Sequence, residues 1–122
     1  MATILICDDE APIRQLIVAS LEGTGHTVVE ARDGATAVEL ARSHRPDALV
    51  LDVMLPDRSG LDVLAEIRAD ATLANVRVII LTARAQRSDH DAALAAGADL
   101  FMAKPFRPSQ LVDELERLVD GE

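Results

Sequence analysis

The chain has 122 residues, a length that predicts one ordinary globular domain over residues 1–122. Hydrophobic residues make up 49% of it, which excludes a disordered tail, and no apolar stretch approaches the roughly 20 residues that a membrane span needs. The formal net charge of −9 argues against direct binding to nucleic acid or to a membrane, because both are bound by clustered Lys and Arg.

Five short β-branched or aliphatic runs follow one another along the chain. They predict strands over Thr3–Cys7, His26–Ala31, Asp47–Leu51, Val76–Leu81 and Asp99–Ala103. Three of these runs are almost continuously apolar, which is typical of strands that are covered on both faces.

Between the strands, apolar residues recur at helical spacing. The stripes are Ile13, Leu16, Ile17 and Leu21 in the first helix, Ala37, Leu40 and Ala41 in the second, Leu61, Leu64 and Ile67 in the third, and Leu111, Leu115, Leu118 and Val119 in the last. The segment Ser88–Ala96 is rich in alanine and helical by propensity. Helix starts are expected at Pro12, Ser59 and Pro108 or Ser109, and chain reversals at Gly25 and Gly97.

The strict alternation of strand and helix predicts an α/β fold with a parallel sheet and right-handed crossovers. Five strands in this pattern favour the doubly wound, flavodoxin-like order 2-1-3-4-5, with five helices over the two faces. In such sheets ligands bind outside the carboxyl ends of the strands, beside strands one and three where the order reverses.

Polar residues follow four of the five predicted strands. They are Asp8, Asp9 and Glu10 after the first strand, Asp52 after the third, Thr82 after the fourth and Lys104 after the fifth. An aspartate after a strand is often only a turn residue or a helix cap, and a lone lysine is usually solvated. Their convergence at one edge of the sheet makes a chemical site the stronger interpretation.

Carboxylates packed together repel one another unless a cation neutralises them. Mg²⁺ suits such a group, since it takes oxygen ligands from one or two carboxylates and a substrate phosphate. A lysine, a hydroxyl and Mg²⁺ around one carboxylate form an electrostatic clamp for a phosphoryl group. The sequence therefore indicates phosphoryl transfer to Asp52, which would act as the nucleophile.

Four motifs stand at these strand ends: Asp8–Asp9, Asp52 with Leu55–Pro56 and Gly60, Thr82–Ala83, and Lys104–Pro105–Phe106. In this order, and over essentially the whole chain from Thr3 to the final helix, they resemble the response-regulator receiver domain of two-component, or phosphorelay, signalling. The resemblance implies a regulatory phosphoacceptor rather than an enzyme with its own substrate.

The resemblance further implies that Asp52 accepts a phosphoryl group from a phosphohistidine on a sensor histidine kinase or a phosphotransfer protein. It implies Mg²⁺ as the cofactor, with Asp9 and Asp52 as direct ligands. Asp8 would contribute through a water molecule, and the main-chain carbonyl of Met54 would supply a further oxygen.

The same resemblance assigns roles around the phosphoryl group. Thr82 would hydrogen-bond one phosphoryl oxygen and Lys104 would pair with another, while the small Ala83 leaves room beside them. The Lys104–Pro105 peptide is expected to be cis, which aims the lysine inward.

Phe101 stands where the family more often has Tyr. Movement of Thr82 toward the phosphoryl group would open a space that the ring of Phe101 can fill, and this would change the surface of helix four, strand five and helix five. A phenylalanine lacks the hydroxyl contacts that a tyrosine makes.

The cysteine and the histidines do not indicate a further chemical site. Cys7 is expected to be a buried strand residue rather than a redox sensor, because acidic neighbours disfavour its thiolate, and one cysteine excludes an internal disulfide. The three histidines have no ligand-like spacing: they are His26, His44 and His90. With no signal peptide visible, the cytoplasm is the expected compartment.

Three alternatives remain beside the receiver. A haloacid-dehalogenase-like phosphatase also forms an aspartyl phosphate, but it needs an acid two residues after the nucleophile, where Met54 stands. A flavodoxin-like electron carrier needs a Ser/Thr/Gly phosphate loop after the first strand, where this chain has acids. A degenerate receiver could serve as a docking module without phosphorylation. The expected output is a downstream target protein or a linked output domain.

Overall fold

The computed structural model describes residues 2–83 and 87–120 and contains one five-stranded sheet. Its strands are β1 (Thr3–Cys7), β2 (Thr27–Ala31), β3 (Ala48–Leu51), β4 (Arg77–Thr82) and β5 (Leu100–Ala103). They pair in parallel in the order β2-β1-β3-β4-β5. The predicted fold class and strand order are confirmed.

The helices alternate with the strands. They are α1 (Ala11–Leu21), α2 (Gly34–His44), α3 (Gly60–Ala69), α4 (Arg87–Ala95) and α5 (Pro108–Val119), and a short 3₁₀ turn, Ala71–Leu73, follows α3. In the part of the chain that the structure describes, none of these helices has the length and apolar character needed to cross a bilayer.

Four strands begin one residue later than their sequence runs indicate. In three of these strands the first residue of the run is polar and bonds to a neighbouring segment instead: these residues are His26, Asp47 and Asp99. The Asp47 carboxylate accepts the Thr3 N–H at 2.8 Å, and the Asp99 carboxylate accepts the Val78 N–H at 2.8 Å. At the other end of β4, Thr82 is the last residue of the strand and pairs with Ala103. The predicted strand, which ends at Leu81, is one residue too short at this end.

The sheet separates two apolar layers. Buried side chains of α2 and α3, such as Val38 and Leu64, cover one face, and Ile17 of α1 and Leu115 of α5 cover the other. Successive residues of β4 serve both layers, because strand side chains alternate between faces. This double burial explains why the central runs are continuously apolar.

The helix and turn signals of the sequence are found in place. The Ser59 hydroxyl accepts the Leu61 N–H at 3.1 Å, and Pro108 is the first residue of α5. Gly25 and Gly97 have positive φ values of 87° and 105°, a region that glycine enters without steric cost. Each chain reversal therefore has the residue type that its backbone needs.

The expectation that Leu16 lies on the buried stripe of α1 was wrong. Its exposed fraction is 43%, whereas Ile17 and Leu21 are almost fully buried. Ile13 and Val18 pack partly against the same layer. The helix is thus rotated so that a stripe without Leu16 meets the sheet.

Two matched leucine truncations test this packing. Leu64 is fully buried and Leu16 is 43% exposed. Leu64→Ala should lower the free energy of unfolding by about 2–5 kcal/mol, because it leaves a cavity in the core. Leu16→Ala should lower it by about 0.5 kcal/mol or less, as is usual at a surface position. Urea unfolding of both variants measures the difference, and equal losses would contradict the observed rotation of α1.

Candidate functional site

Main-chain hydrogen bonds of the sheet bring the predicted site residues together. The Asp8 N–H donates to the Ala31 carbonyl at 3.1 Å, and the Asp52 N–H donates to the Cys7 carbonyl at 3.0 Å. The Lys104 N–H donates to the Thr82 carbonyl at 2.9 Å. The ladders of the sheet thus continue into these residues and fix their backbones at its carboxyl edge.

The ammonium group of Lys104 bridges three carboxylates. Its Nζ donates to Asp8 Oδ2 at 2.8 Å, to Asp52 Oδ2 at 2.9 Å and to Glu10 Oε1 at 3.1 Å. Only 11% of the lysine side chain is exposed, so its pairs with the buried Asp8 and Asp52 are weakly screened by solvent. The lysine therefore binds the acidic group from the side of β5.

Burial differs across the acidic group. Asp8 and Asp52 are buried, with exposed fractions of 2% and 3%, while Asp9 and Glu10 are exposed. Two carboxylates therefore form the floor of the site and two its rim.

Main-chain N–H groups orient the two buried carboxylates. Asp52 Oδ1 accepts the Met54 N–H at 3.0 Å, and Asp8 Oδ1 accepts the Glu10 N–H at 2.9 Å. In each case one oxygen is bound by its own loop and the other by Lys104. This leaves the carboxylates with fixed orientations before any ligand arrives.

The surroundings of Asp52 disfavour the ionised form of its carboxyl group. Burial raises the pKa of its carboxyl group above the usual value, although the bonds from Lys104 and from the Met54 N–H act in the opposite direction. Burial alone would lower the pKa of Lys104, but its bonds to Asp8 and Asp52 raise it. The site is thus short of positive charge, since one ammonium faces four carboxylates.

The donor set fits a hard divalent cation. One carboxylate oxygen from each of Asp8, Asp9, Glu10 and Asp52 can be chosen so that all lie within 4.8 Å of one another. Oxygen ligands of this kind are the ones that Mg²⁺ and Ca²⁺ take in proteins. A bound cation would supply the positive charge that Lys104 alone does not.

A cleft of about 660 Å³ opens beside the acidic group. Asp52, Lys104, Ala83 and Met54 are among its lining residues, and the Met54 side chain is 54% exposed at its mouth. Ala83 contributes only a small side chain to this lining.

Gly60 fixes the loop that follows Asp52. A Cβ at this position would lie 2.1 Å from the Asp52 carbonyl oxygen, far inside contact distance. The Gly60 N–H donates to the Val53 carbonyl at 2.8 Å, which closes the loop against the end of β3. Glycine is required here because the backbone of α3 approaches that of Asp52 so closely.

Two further features of the motifs are present in the structure. The peptide between Lys104 and Pro105 is cis, as expected. Thr82 is fully buried at the end of β4 and lies on the same sheet face as Ile80, which pairs with Phe101 of β5. Thr82 and Phe101 are thus neighbours on the sheet.

A family model of the response regulator receiver domain matches residues 4–116. The chain belongs to this family. Response regulator MprA of Mycobacterium ulcerans is 41% identical over 116 residues, which are 95% of this chain. The phosphate regulon transcriptional regulatory protein PhoB of Pseudomonas aeruginosa is 37% identical over 117 residues, or 96% of the chain.

The chain spans about half the length of these curated relatives, 49% of MprA and 51% of PhoB. A solved structure of similar length is that of the chemotaxis response regulator CheY4 of Vibrio cholerae. It is 30% identical, has a TM-score of 0.90, and the match covers 97% of this chain and 98% of that one. Receiver domains typically bind Mg²⁺ in an acidic pocket, and the acidic group described above is compatible with it.

Cys7 lies within this receiver as a buried strand residue, as the sequence predicted. Its Sγ donates to the Asp33 carbonyl at 3.4 Å, and its exposed fraction is 1%. Burial, together with the charges of Asp33 and Asp8, raises the pKa of the thiol to about 12. The thiolate that oxidation and metal binding require is therefore disfavoured.

Sequence reasoning missed two residues that support the site. Asp57 supplies a second cap to α2, whose N-cap residue is Asp33: its Oδ1 and Oδ2 accept the N–H groups of Gly34 at 2.8 Å and Ala35 at 3.0 Å. Arg14 of α1 donates to the Asp8 carbonyl at 2.6 Å and pairs with Glu30. Asp57 lies just before α3 in the sequence, so no local spacing indicates its contact with α2.

The Asp57 cap has a defined pH dependence. Bonds from Gly34 and Ala35 hold the pKa of its carboxyl group below 3.8, so the ionised form stabilises the fold above that pH. This contribution is lost as the pH falls through the lowered pKa. Asp57→Asn should therefore lower the midpoint of thermal unfolding at pH 7, and the deficit should shrink below pH 3.8.

The control for this variant is Asp113→Asn, which changes an exposed aspartate on α5. Thermal unfolding followed by circular dichroism between pH 2.5 and 7 compares the two variants with the parent chain. A deficit of Asp57→Asn that is constant over this range would show that the charge on the cap does not stabilise α2.

Proposed function

We propose that this receiver domain accepts a phosphoryl group on Asp52 from a phosphohistidine of a sensor histidine kinase or a phosphotransfer protein. The observation that carries this proposal is the position of the Asp52 carboxylate, buried at the cleft floor and in direct contact with Lys104. The other acids of the group lie around it and Thr82 ends the adjacent strand β4. The proposed domain extends over residues 1–122.

In the proposed reaction a carboxylate oxygen of Asp52 attacks the phosphorus atom of the donor. The P–N bond breaks, its electron pair returns to the imidazole nitrogen, and an acyl phosphate forms on Asp52. The Lys104 ammonium, which bonds to Asp52 Oδ2 at 2.9 Å, is placed to pair with a phosphoryl oxygen. The attack needs no proton transfer from Asp52, because its carboxylate is the reacting form.

Mg²⁺, when bound, would supply charge neutralisation for the transferring phosphoryl group. We assign Asp9 and Asp52 as its direct ligands, Asp8 as a ligand through water, and the Met54 carbonyl as a further oxygen. In support, the carboxylates of Asp8, Asp9 and Asp52 have oxygens within 4.8 Å of one another, and Met54 lines the cleft.

The remaining residues of the motifs position the phosphoryl group. Thr82 would donate its hydroxyl to a phosphoryl oxygen, Ala83 would leave space, and Pro105 would fix the direction of Lys104. The main-chain N–H of Lys104 donates to the Thr82 carbonyl at 2.9 Å, and this bond fixes the backbones of the two residues side by side.

Phosphorylation would then alter the surface formed by α4, β5 and α5. A phosphoryl group brings about −1.5 to −2 charges and three acceptor oxygens, which attract the Thr82 hydroxyl. Phe101 is its neighbour on the same sheet face and would move toward the vacated space. This surface would contact a downstream protein or a linked output domain, as the transcriptional regulators among the relatives suggest by their names.

The phosphoacceptor role is tested by incubation with acetyl phosphate and Mg²⁺, followed by intact-mass measurement. The parent chain should gain one phosphoryl group in a Mg²⁺-dependent reaction, and peptide mapping should place it on Asp52. Asp52→Asn should lower incorporation at least 100-fold, since an amide oxygen is a far weaker nucleophile (about 3 kcal/mol in the barrier). Asp113→Asn, on exposed α5, should react like the parent chain.

The alternatives give different results in the same experiment. Repeated turnover of acetyl phosphate would favour a phosphatase, and no adduct in either the parent chain or Asp113→Asn would favour a docking module. Incorporation by Asp52→Asn at the parent rate would contradict the assignment of the nucleophile.

A further inference from the structure

His90 and Phe101 form an aromatic stack on the surface of the receiver. Their ring centroids are 5.1 Å apart and the ring planes differ by 2°. His90 belongs to α4 and is exposed, whereas Phe101 belongs to β5 and is partly buried against the core. The stack therefore joins the helix to the edge strand from the outside.

The position of Phe101 on β5 gives this stack its significance. Phe101 pairs with Ile80 of β4, and Ala103, two residues further, pairs with Thr82. Side chains two residues apart on a strand share a face, so Phe101 is a diagonal neighbour of Thr82. Phe101 thus has an exposed aromatic partner on α4 and a buried residue, Thr82, as its diagonal neighbour on the sheet.

We propose that His90 is a positioning residue that holds the Phe101 ring against α4 and thereby opposes its movement toward Thr82. This inference rests on the function proposed above, in which that movement accompanies phosphorylation. It adds to that function a restraint on the Phe101 ring. The strength of the aromatic stack then sets the fraction of receiver molecules in the switched state, in which the ring lies toward Thr82.

The side-chain chemistry of Phe101 explains why an aromatic partner, His90, is needed to restrain its ring. A phenylalanine ring has no polar atom, so a hydrogen bond cannot fix its orientation. Parallel stacking with the flat imidazole of His90 supplies a directional contact that is worth more than buried area alone. Movement of the ring toward Thr82 breaks this contact, so the stack stabilises only one of the two arrangements.

A contact made in only one of two states shifts their equilibrium by its full strength. Loss of the stack should therefore favour the switched state by about 2- to 10-fold, the range that corresponds to a typical aromatic pair. The same factor should appear as tighter binding of any phosphoryl mimic that prefers the switched state.

The experiment uses beryllofluoride, a tetrahedral mimic of the phosphoryl group, with Mg²⁺. Its dissociation constant is measured by NMR titration for the parent chain, His90→Ala and His90→Phe. His90→Ala should bind it about 2- to 10-fold more tightly. His90→Phe keeps a flat ring on α4 and should bind it like the parent chain.

A second measurement reads the ring directly without beryllofluoride. Nuclear Overhauser contacts between the Phe101 ring and the Thr82 methyl group should strengthen in His90→Ala and stay at the parent level in His90→Phe. A merely structural role of His90 would not move these contacts selectively.

Different results would contradict the proposed function and the role of His90. A parent chain that does not bind beryllofluoride with Mg²⁺ would contradict the proposed function and the inference that rests on it. Normal binding by the parent chain, with unchanged affinity and unchanged ring contacts in His90→Ala, would contradict the role of His90 alone.

Discussion

The ion pairs of Lys104 with Asp8, Glu10 and Asp52 are the interaction on which the receiver site depends. Parallel strands deliver these groups to one edge of the sheet, and ladder hydrogen bonds fix their backbones there. One ammonium, however, cannot balance four carboxylates, and two of those are buried. The site therefore keeps an unfavourable charge distribution that a cation and a phosphoryl group together can relieve.

The packing of the rest of the fold offsets the unfavourable charge distribution of the site. Apolar layers on both faces of the sheet stabilise the strands that carry the acids. Gly60 allows α3 to approach the Asp52 backbone, and the Asp57 carboxylate joins the same loop to the start of α2. The buried carboxylates of the site are consequently oriented by protein contacts, and electrostatic stabilisation of a transferring group requires such preorganised groups.

The sequence predicted the architecture and the members of the acidic group, because both follow from local pattern. Alternating apolar runs and helical stripes specify a parallel sheet, and the residues after each strand specify its carboxyl edge. It did not predict the exposure of Leu16, the cap from Asp57 to α2 or the stack of His90 on Phe101. Each of these features depends on how separate helices and strands pack together, and the local spacing of residues does not predict this packing.

Ionised Asp52 destabilises the folded receiver until a cation is bound. Because burial raises its pKa in the folded state, the ionised carboxylate disfavours folding at neutral pH. Thermal unfolding at pH 7 should therefore show Asp52→Asn about 3–6 °C more stable than the parent chain in EDTA. Saturating Mg²⁺ should stabilise the parent chain more than the variant. A variant that is less stable in EDTA, or equal stabilisation of both proteins by Mg²⁺, would contradict the claim.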